Sequence, residues 1–540
     1  MNSRMWLVWL VSAVVACAQD TARMEAVVKA QTEGDRYMGN VRVERDGVTL
    51  FSGSYGWANL EWKVPHTPAS KFRIGSVTKQ FTAAAILLLE ERGKLKVEDP
   101  VSKYIPTMPE AWKAVTVHQL LSHTSGVPSF TDQPDFKKWA LLPETPAQTL
   151  AHIRDLPLDF APGEKFKYSN TGFTLLGWIV ELVSGQTYET FLRENIFTPL
   201  GMSDSGYDTS ATILPQRAAG YVPGPAGLNN APYVDMHVPH GAGALYSTTG
   251  DLVKWTQGLF GGKLLAAASL EKMITPVKSG YAYGLGVLTV KGRKVIQHGG
   301  GIEGFNAQLA YYPDSKITVV VLANVNGPAF GELAAQLGAL AFGETVTLSA
   351  ERKVVEVPAA TLRRYVGVYQ LNPRITNTVR LTDGGLTVQL SGQAAYPIFP
   401  ESETKFFLKV VDAQVEFVAD GQGKIIHLLQ TQGGRTQKAE RISDAVVERK
   451  AILVPKATLE RYVGTYELKP GFDLVIRLEG EQLVSQATGQ GPAPIFPESE
   501  RAFFLKVVDA QIEFVTDAAG AVTHLVLHQG GRDIKGIRKP

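Results

Sequence analysis

The chain is nearly devoid of cysteine. One thiol, Cys17, serves all 540 residues, which excludes an internal disulfide framework and a cysteine-based metal site. An excess of one charge is also missing: Lys+Arg number 54 and Asp+Glu 52, for a net charge of +2. With no basic run and no basic–aromatic patch, nucleic acid is not an expected partner. No apolar run is long enough for a good transmembrane span; the N-terminal one holds about 13 residues. H-E-x-x-H is absent, which removes the commonest zinc-peptidase signature, and so is G-x-S-x-G, which weighs against a nucleophile elbow. His118 and His123 are five residues apart, on different faces of a helix, and no second ligand cluster accompanies them. Neither a metal nor a cofactor is expected.

Hydrophobic residues make up 44% of the chain. That suffices for large cores and roughly two to four domains. The N-terminus, M1-N-S-R-M-W-L-V-W-L-V-S-A-V-V-A-C-A-Q-D20, sets one arginine before an apolar stretch and then small residues. This is the pattern of a secretory signal peptide over 1–18, with export to the periplasm or the extracellular space. Ala16-Cys17-Ala18 has the form of a cleavage site, and V14-V-A-C17 equally resembles a lipoprotein box with Cys17 as lipid anchor.

Ser76 and Lys79 lie three residues apart in F72-R-I-G-S-V-T-K-Q-F81, where a long apolar helix begins. A serine hydroxyl is a poor nucleophile at neutral pH and needs a base within hydrogen-bond reach. Positions i and i+3 share one helix face, so the spacing predicts a Ser76–Lys79 contact. The helix N-terminus offers N–H groups to an oxyanion forming at Ser76. The chain contains two further S-x-x-K strings, at Ser269–Lys272 and Ser402–Lys405. The first suits an ordinary surface helix and the second a polar turn. The run from Val77 to Arg92, closed by Gly93, reads instead as a buried helix able to hold its first turn rigidly.

Two more motifs follow, Y168-S-N170 and H298-G-G300. Taken singly, Tyr168 is more simply a core aromatic, Asn170 a turn former and His298 a packed strand residue. As an ordered set they resemble S-x-x-K, Y-x-N and K-T-G or H-x-G of the serine β-lactamase and penicillin-binding-protein superfamily, on its class C side. The likeness extends through T116-V-H-Q-L-L-S-H-T-S-G-V127 and G241-A-G-A-L-Y-S-T-T-G-D-L252, over residues 25–344. It implies an α+β fold, an antiparallel sheet beside a helical subdomain with the site at their junction. It also implies roles. Ser76 is the nucleophile of an acyl-enzyme and Lys79 its base, and Tyr168 shuttles a proton. Backbone N–H groups of Ser76 and Gly301 form the oxyanion hole, while Asn170, His298, Gly299 and Gly300 meet the substrate. His298 in place of lysine and Gly299 in place of threonine weaken recognition of an anionic β-lactam. They favour a hydrolase of peptides, amides or esters, such as a D-amino-acid peptidase acting on small molecules or short peptides. A class C-like β-lactamase, and a penicillin-binding sensor or cell-wall peptide-binding protein with slow or no turnover, are the alternatives.

The C-terminal third is a tandem repeat. P397-I-F-P-E-S-E403 recurs as P494-I-F-P-E-S-E500, and Tyr365, Gly367 and Tyr369 recur as Tyr462, Gly464 and Tyr466. Strand-like segments around Asp383-Gly384 predict two small antiparallel, lipocalin-like β-barrels over 357–443 and 454–540. They serve as spacers or as neighbours of a catalytic cleft.

Overall fold

The computed structural model describes residues 21–539 apart from 225, 226, 374, 433, 434, 447, 448 and 518. The signal peptide expected over 1–18, and Cys17 within it, lie outside the described residues. Two compact units divide the chain, 1–346 and 347–540.

The first unit is built on a six-stranded antiparallel sheet. Its strands are β1 (Gly39–Arg45), β2 (Val48–Tyr55), β3 (Gly286–Val290), β4 (Arg293–Ile302), β5 (Phe305–Tyr312) and β6 (Ile317–Ala323), in the order β3-β4-β5-β6-β1-β2. Asp46-Gly47 turns the first hairpin with φ of 47° and 82°, the doubly positive geometry of a type I′ turn. β4 runs on past His298 through all three glycines to Ile302, further than alternation alone suggests, because β5 pairs with it throughout, Gly300 opposite Ala307. β6, I-T-V-V-V-L-A, is buried along its whole length, as a strand covered on both faces must be.

Among the helices of this unit, α1 (Thr78–Glu91) and α2 (Asn170–Ser184) pack on each other, and α3 (Thr249–Phe260) and α4 (Ala329–Ala341) pack on the sheet. α3 lies on one face, where Phe260 stacks on Tyr311 at 4.3 Å. α4 lies on the other, where Gly338 approaches Tyr312. α1 is buried all round, from Thr78 to Leu89 without exception, the condition of a helix in the middle of a large core. Phe81 packs on Trp255 of α3 at 4.0 Å. Gly93, at φ 67°, ends the helix, and the Lys94 N–H closes it on the Leu89 carbonyl.

The second unit holds the two repeats. The later one is a closed barrel of eight strands between Gly464 and Arg538. The earlier one has the same succession, except that the counterpart of Ala493–Pro497 is divided at Ile398 into 395–397 and 399–400. Both interiors are filled by aromatic side chains in the same arrangement. Tyr365 stacks on Phe417 at 4.3 Å, and Tyr462 on Phe514 at 4.2 Å. The hydroxyl of Tyr369 donates to the Tyr365 carbonyl at 2.8 Å, and that of Tyr466 to the Tyr462 carbonyl at 2.8 Å. Each buried phenol thereby keeps a partner for its one polar atom.

Candidate active site

Ser76 stands in a 3-10 turn, Gly75–Val77, that feeds directly into α1. Lys79 is one turn further on and fully buried. Its Nζ lies 3.1 Å from Ser76 Oγ, the contact expected from the spacing. Two acceptors converge on it, Asn170 Oδ1 and the Ala242 carbonyl, each at 2.8 Å. Both of these can only accept. A neutral amine gives them its two hydrogens and turns its lone pair toward the Ser76 hydroxyl. Burial without a carboxylate partner holds the Lys79 ammonium well below its ordinary pKa, which favours that neutral form.

Asn170 is the first residue of α2 and is held at three points. Its N–H donates to Ser129 Oγ at 3.1 Å, its Nδ2 to Thr131 Oγ1 at 3.2 Å, and its Oδ1 takes the lysine. The Tyr168 hydroxyl faces Ser76, and desolvation raises its pKa. Its ring lies 4.8 Å from Lys79 Nζ. His123, just past the short helix Val117–Leu121, packs on that ring at 4.2 Å. His123 Nδ1 accepts the Ser169 N–H at 3.2 Å, so the buried ring braces the Tyr168-Ser169-Asn170 segment from behind. His118 points elsewhere, to the Tyr283 hydroxyl at 2.5 Å.

β4 closes the other side. A Cβ placed on Gly300 would fall 2.0 Å from the Ile74 carbonyl oxygen and 3.3 Å from Ser76 N. Only glycine permits the strand to lie this close to the serine turn. Gly301 N is equally near: a Cβ on Gly75 would sit 2.9 Å from it. The backbone N–H groups of Ser76 and Gly301 therefore border the same space, as an oxyanion hole requires.

His298 and Gly299 are placed differently from the sequence expectation of substrate contact. His298 Nε2 pairs with the Tyr281 hydroxyl at 2.9 Å and Nδ1 with the Gly299 carbonyl at 2.6 Å. Both ring nitrogens are engaged inside the protein. Burial pushes the imidazole down to about 4, so it is neutral at pH 7 rather than partly charged. A Cβ on Gly299 would point to Gln308 and Phe330, on the sheet face covered by α4, because successive strand residues alternate faces.

A cavity of about 410 Å³ opens over this constellation, and of the sequence candidates Ser76, Asn170 and Gly301 line it. The remaining wall was not visible in the motifs. It comprises Phe130, Thr131, Phe136, Val234, Ile302, Glu303 and Asn326, among others. Nor was Ala242, whose carbonyl, brought in by a short turn at His240–Ala242, completes the lysine's set. Its neighbour Gly241 accepts from Thr82 Oγ1 at 2.6 Å, which ties that turn to α1. Among the described residues no cluster of histidine, cysteine and carboxylate side chains is fit to hold a metal ion, and no helix is long and apolar enough to cross a membrane.

The other two S-x-x-K strings have no such setting. Lys272 pairs with Glu90 at 3.0 Å on an exposed helix. Ser402 Oγ accepts the Lys405 backbone N–H at 3.1 Å, and the Lys405 ammonium points to Glu416.

Residues 24–342 match the Beta-lactamase family, and 351–441 and 448–538 each match a domain of unknown function, DUF3471. The chain is 30% identical over 423 residues to a penicillin-binding protein of Bacillus subtilis strain 168, covering 73% of this chain and 93% of that protein. An octameric penicillin-binding protein homologue from Pyrococcus abyssi superposes with a TM-score of 0.57 at 28% identity, over 78% of this chain and 99% of that one. A D-stereospecific amidohydrolase from a Streptomyces species does so at 0.52 and 25%, over 61% and 99%. The chain belongs to the Beta-lactamase family, with its β-lactamase/transpeptidase-like α+β fold followed by two β-barrel-like domains.

Proposed function

We propose that this member of the Beta-lactamase family is an exported serine hydrolase of amides, esters or short peptides, acting through an acyl-enzyme on Ser76. The observation that carries the reading is the fully buried Lys79, without a carboxylate partner, 3.1 Å from Ser76 Oγ and with two carbonyl acceptors engaging its other directions. In this reading Ser76 Oγ attacks the substrate carbonyl carbon while its proton passes to Lys79 Nζ. The oxyanion is met by the N–H groups of Ser76 and Gly301. The leaving amine or alkoxide takes a proton through Tyr168, which is replenished from Lys79. Water then attacks the ester on Ser76 by the reverse relay and restores the free serine. Asn170 holds Lys79 and the substrate amide in register. His298 acts at one remove, holding Tyr281 and the glycine strand in place.

A catalytic domain over 25–344, repeat domains over 357–443 and 454–540, and a cleaved or lipidated leader over 1–18 complete the proposal. Amide hydrolysis is favoured over β-lactam hydrolysis because no lysine stands at position 298 and the imidazole there carries no charge at neutral pH. Steady-state hydrolysis of p-nitrophenyl esters, amino-acid amides and a penicillin, with Ser76→Ala as control, tests it. Turnover of esters and amides that is lost in the variant is expected. Turnover retained by Ser76→Ala would overturn the assignment, and rapid opening of penicillin in preference to the amides would move it to a β-lactamase.

A further inference from the structure

The charge in the cleft is of the wrong sign for an anionic substrate. Among the described residues that line the cavity one is ionisable, and it is Glu303. The two basic side chains closest to Ser76 in sequence are unavailable. Lys79 is buried beneath the serine and engaged by Ser76, Asn170 and the Ala242 carbonyl. Arg73, which stands 6.0 Å from the Phe305 ring, is held by Asp208 at 2.6 Å, and Asp208 is shared with Arg217 at 2.7 Å.

Glu303 sits at the tip of the β4–β5 hairpin, two residues after the oxyanion glycine Gly301. Its side chain is half-buried and takes part in no hydrogen bond or ion pair among the described residues. A carboxylate partly withdrawn from water, with its acceptor oxygens unengaged by the protein, favours a cationic partner. Its position is built rather than loose. The Asn326 side chain closes the hairpin tip, donating to the carbonyls of Ile302 and Phe305 at 3.0 Å each and accepting the Gly304 N–H at 2.7 Å. Asn306 continues the clamp, taking the Gly327 N–H at 2.9 Å and donating to the Gly300 carbonyl at 3.3 Å. The carboxylate and the oxyanion N–H thus ride on one braced strand end. Ser76 and Glu303 line the same cavity of about 410 Å³, so one small substrate can meet both.

We propose that Glu303 is the specificity-determining residue of this cleft, receiving the ammonium group of substrates that carry a free amine close to the scissile carbonyl. Resting on the serine-hydrolase reading above, it narrows the substrate class to amino-acid amides, amino-acid esters and peptides attacked at an unblocked amino end. Substrates with a carboxylate on that same acyl side of the scissile carbonyl are disfavoured by like-charge repulsion.

The test uses the full chain and three alanine p-nitroanilides: free amine, N-acetyl and N-succinyl. Wild type is expected to prefer the free amine to the N-acetyl form by about tenfold or more in kcat/KM, the scale of one charge-assisted hydrogen bond. Glu303→Gln should collapse that ratio toward one, and Glu303→Lys should shift preference to the N-succinyl substrate. A ratio unchanged in Glu303→Gln, or a wild type that prefers the succinylated substrate, overturns the inference. Where no anilide turns over, labelling of Ser76 by a fluorophosphonate takes its place. Protection by alaninamide but not by N-acetylalaninamide, lost in Glu303→Gln, supports the inference. Equal protection by the two overturns it while the hydrolase reading stands. Absence of labelling in wild type removes the hydrolase reading, and this inference with it.

Discussion

The two units of this chain bury very different things. The first encloses Lys79, four histidines (His66, His123, His240 and His298) and carboxylates such as Asp208 and Asp251. Among the described residues of the second, Asn377 and Ser485 are the buried polar side chains, and the interior is otherwise aliphatic and aromatic. Buried ionisable groups cost stability unless satisfied. Lys79 lies against Ser76, and His123 and His298 pack on the Tyr168 ring beside it, which supports placing the proposed chemistry in the first unit. The same four-residue pattern shows this at close range. Lys79 is stripped of water and turned to Ser76, whereas Lys405 is about half exposed, 53% by side chain, and turned to Glu416.

The sharpest way to break this contrast is to delete the two hydroxyls. Ser76→Ala should lower acyl-transfer kcat/KM by roughly 10^4-fold, and Lys79→Ala by a similar factor, with the double variant little worse because the two act as a unit. Ser402→Ala should leave kcat/KM where it was. Loss on mutating Ser402 would undo the assignment of chemistry to the first unit.

Acid separates the units next. The His298 imidazole is held at about 4 in the folded chain against the ordinary 6.5, and His66 likewise at about 4. Between those values the unfolded state binds protons that the folded state refuses. The stability present above pH 6.5 is therefore lost as pH falls toward 4, by about 3 kcal/mol for His298. Denaturant titrations at pH 7, 5 and 4, followed separately in each unit, should show the first unit weakening more. His298→Asn should flatten its pH dependence; a second unit that weakens equally contradicts the contrast.

Gly300→Ala forces a methyl group into the Ile74 carbonyl. It should cost about 1–3 kcal/mol of stability and lower kcat by opening the oxyanion pair, with thermal melts and kinetics as the readouts. The smallest effect concerns the barrels. Tyr369→Phe and Tyr466→Phe each remove one hydroxyl-to-carbonyl bond and should cost about 1 kcal/mol apiece, equally in the two repeats. Unequal costs would show that the interruption at Ile398 alters the first barrel's core.

What was legible in the sequence follows the range of the forces involved. The Ser76–Lys79 contact and α1 are local, written in spacing and composition over a few residues. The repeats were legible because thirteen or more identical positions recur at a common offset, and the same Tyr–Phe stacks recur with them. The backbone acceptor on Lys79 comes from Ala242, 163 positions away, and the cavity wall from Phe130, Val234 and Glu303. No local period encodes such encounters. His298 was legible as part of a motif but not in its environment, since its charge state depends on Tyr281 and on burial by elements far along the chain.

The most direct measurement is intact-protein mass spectrometry after brief exposure to a fluorophosphonate, with peptide mapping, on wild type, Ser76→Ala and Ser402→Ala. A single adduct on Ser76 in wild type and in Ser402→Ala, absent from Ser76→Ala, is the predicted result. An adduct of the same size persisting in Ser76→Ala would contradict the central claim that the buried Ser76–Lys79 pair is the nucleophilic centre of this protein.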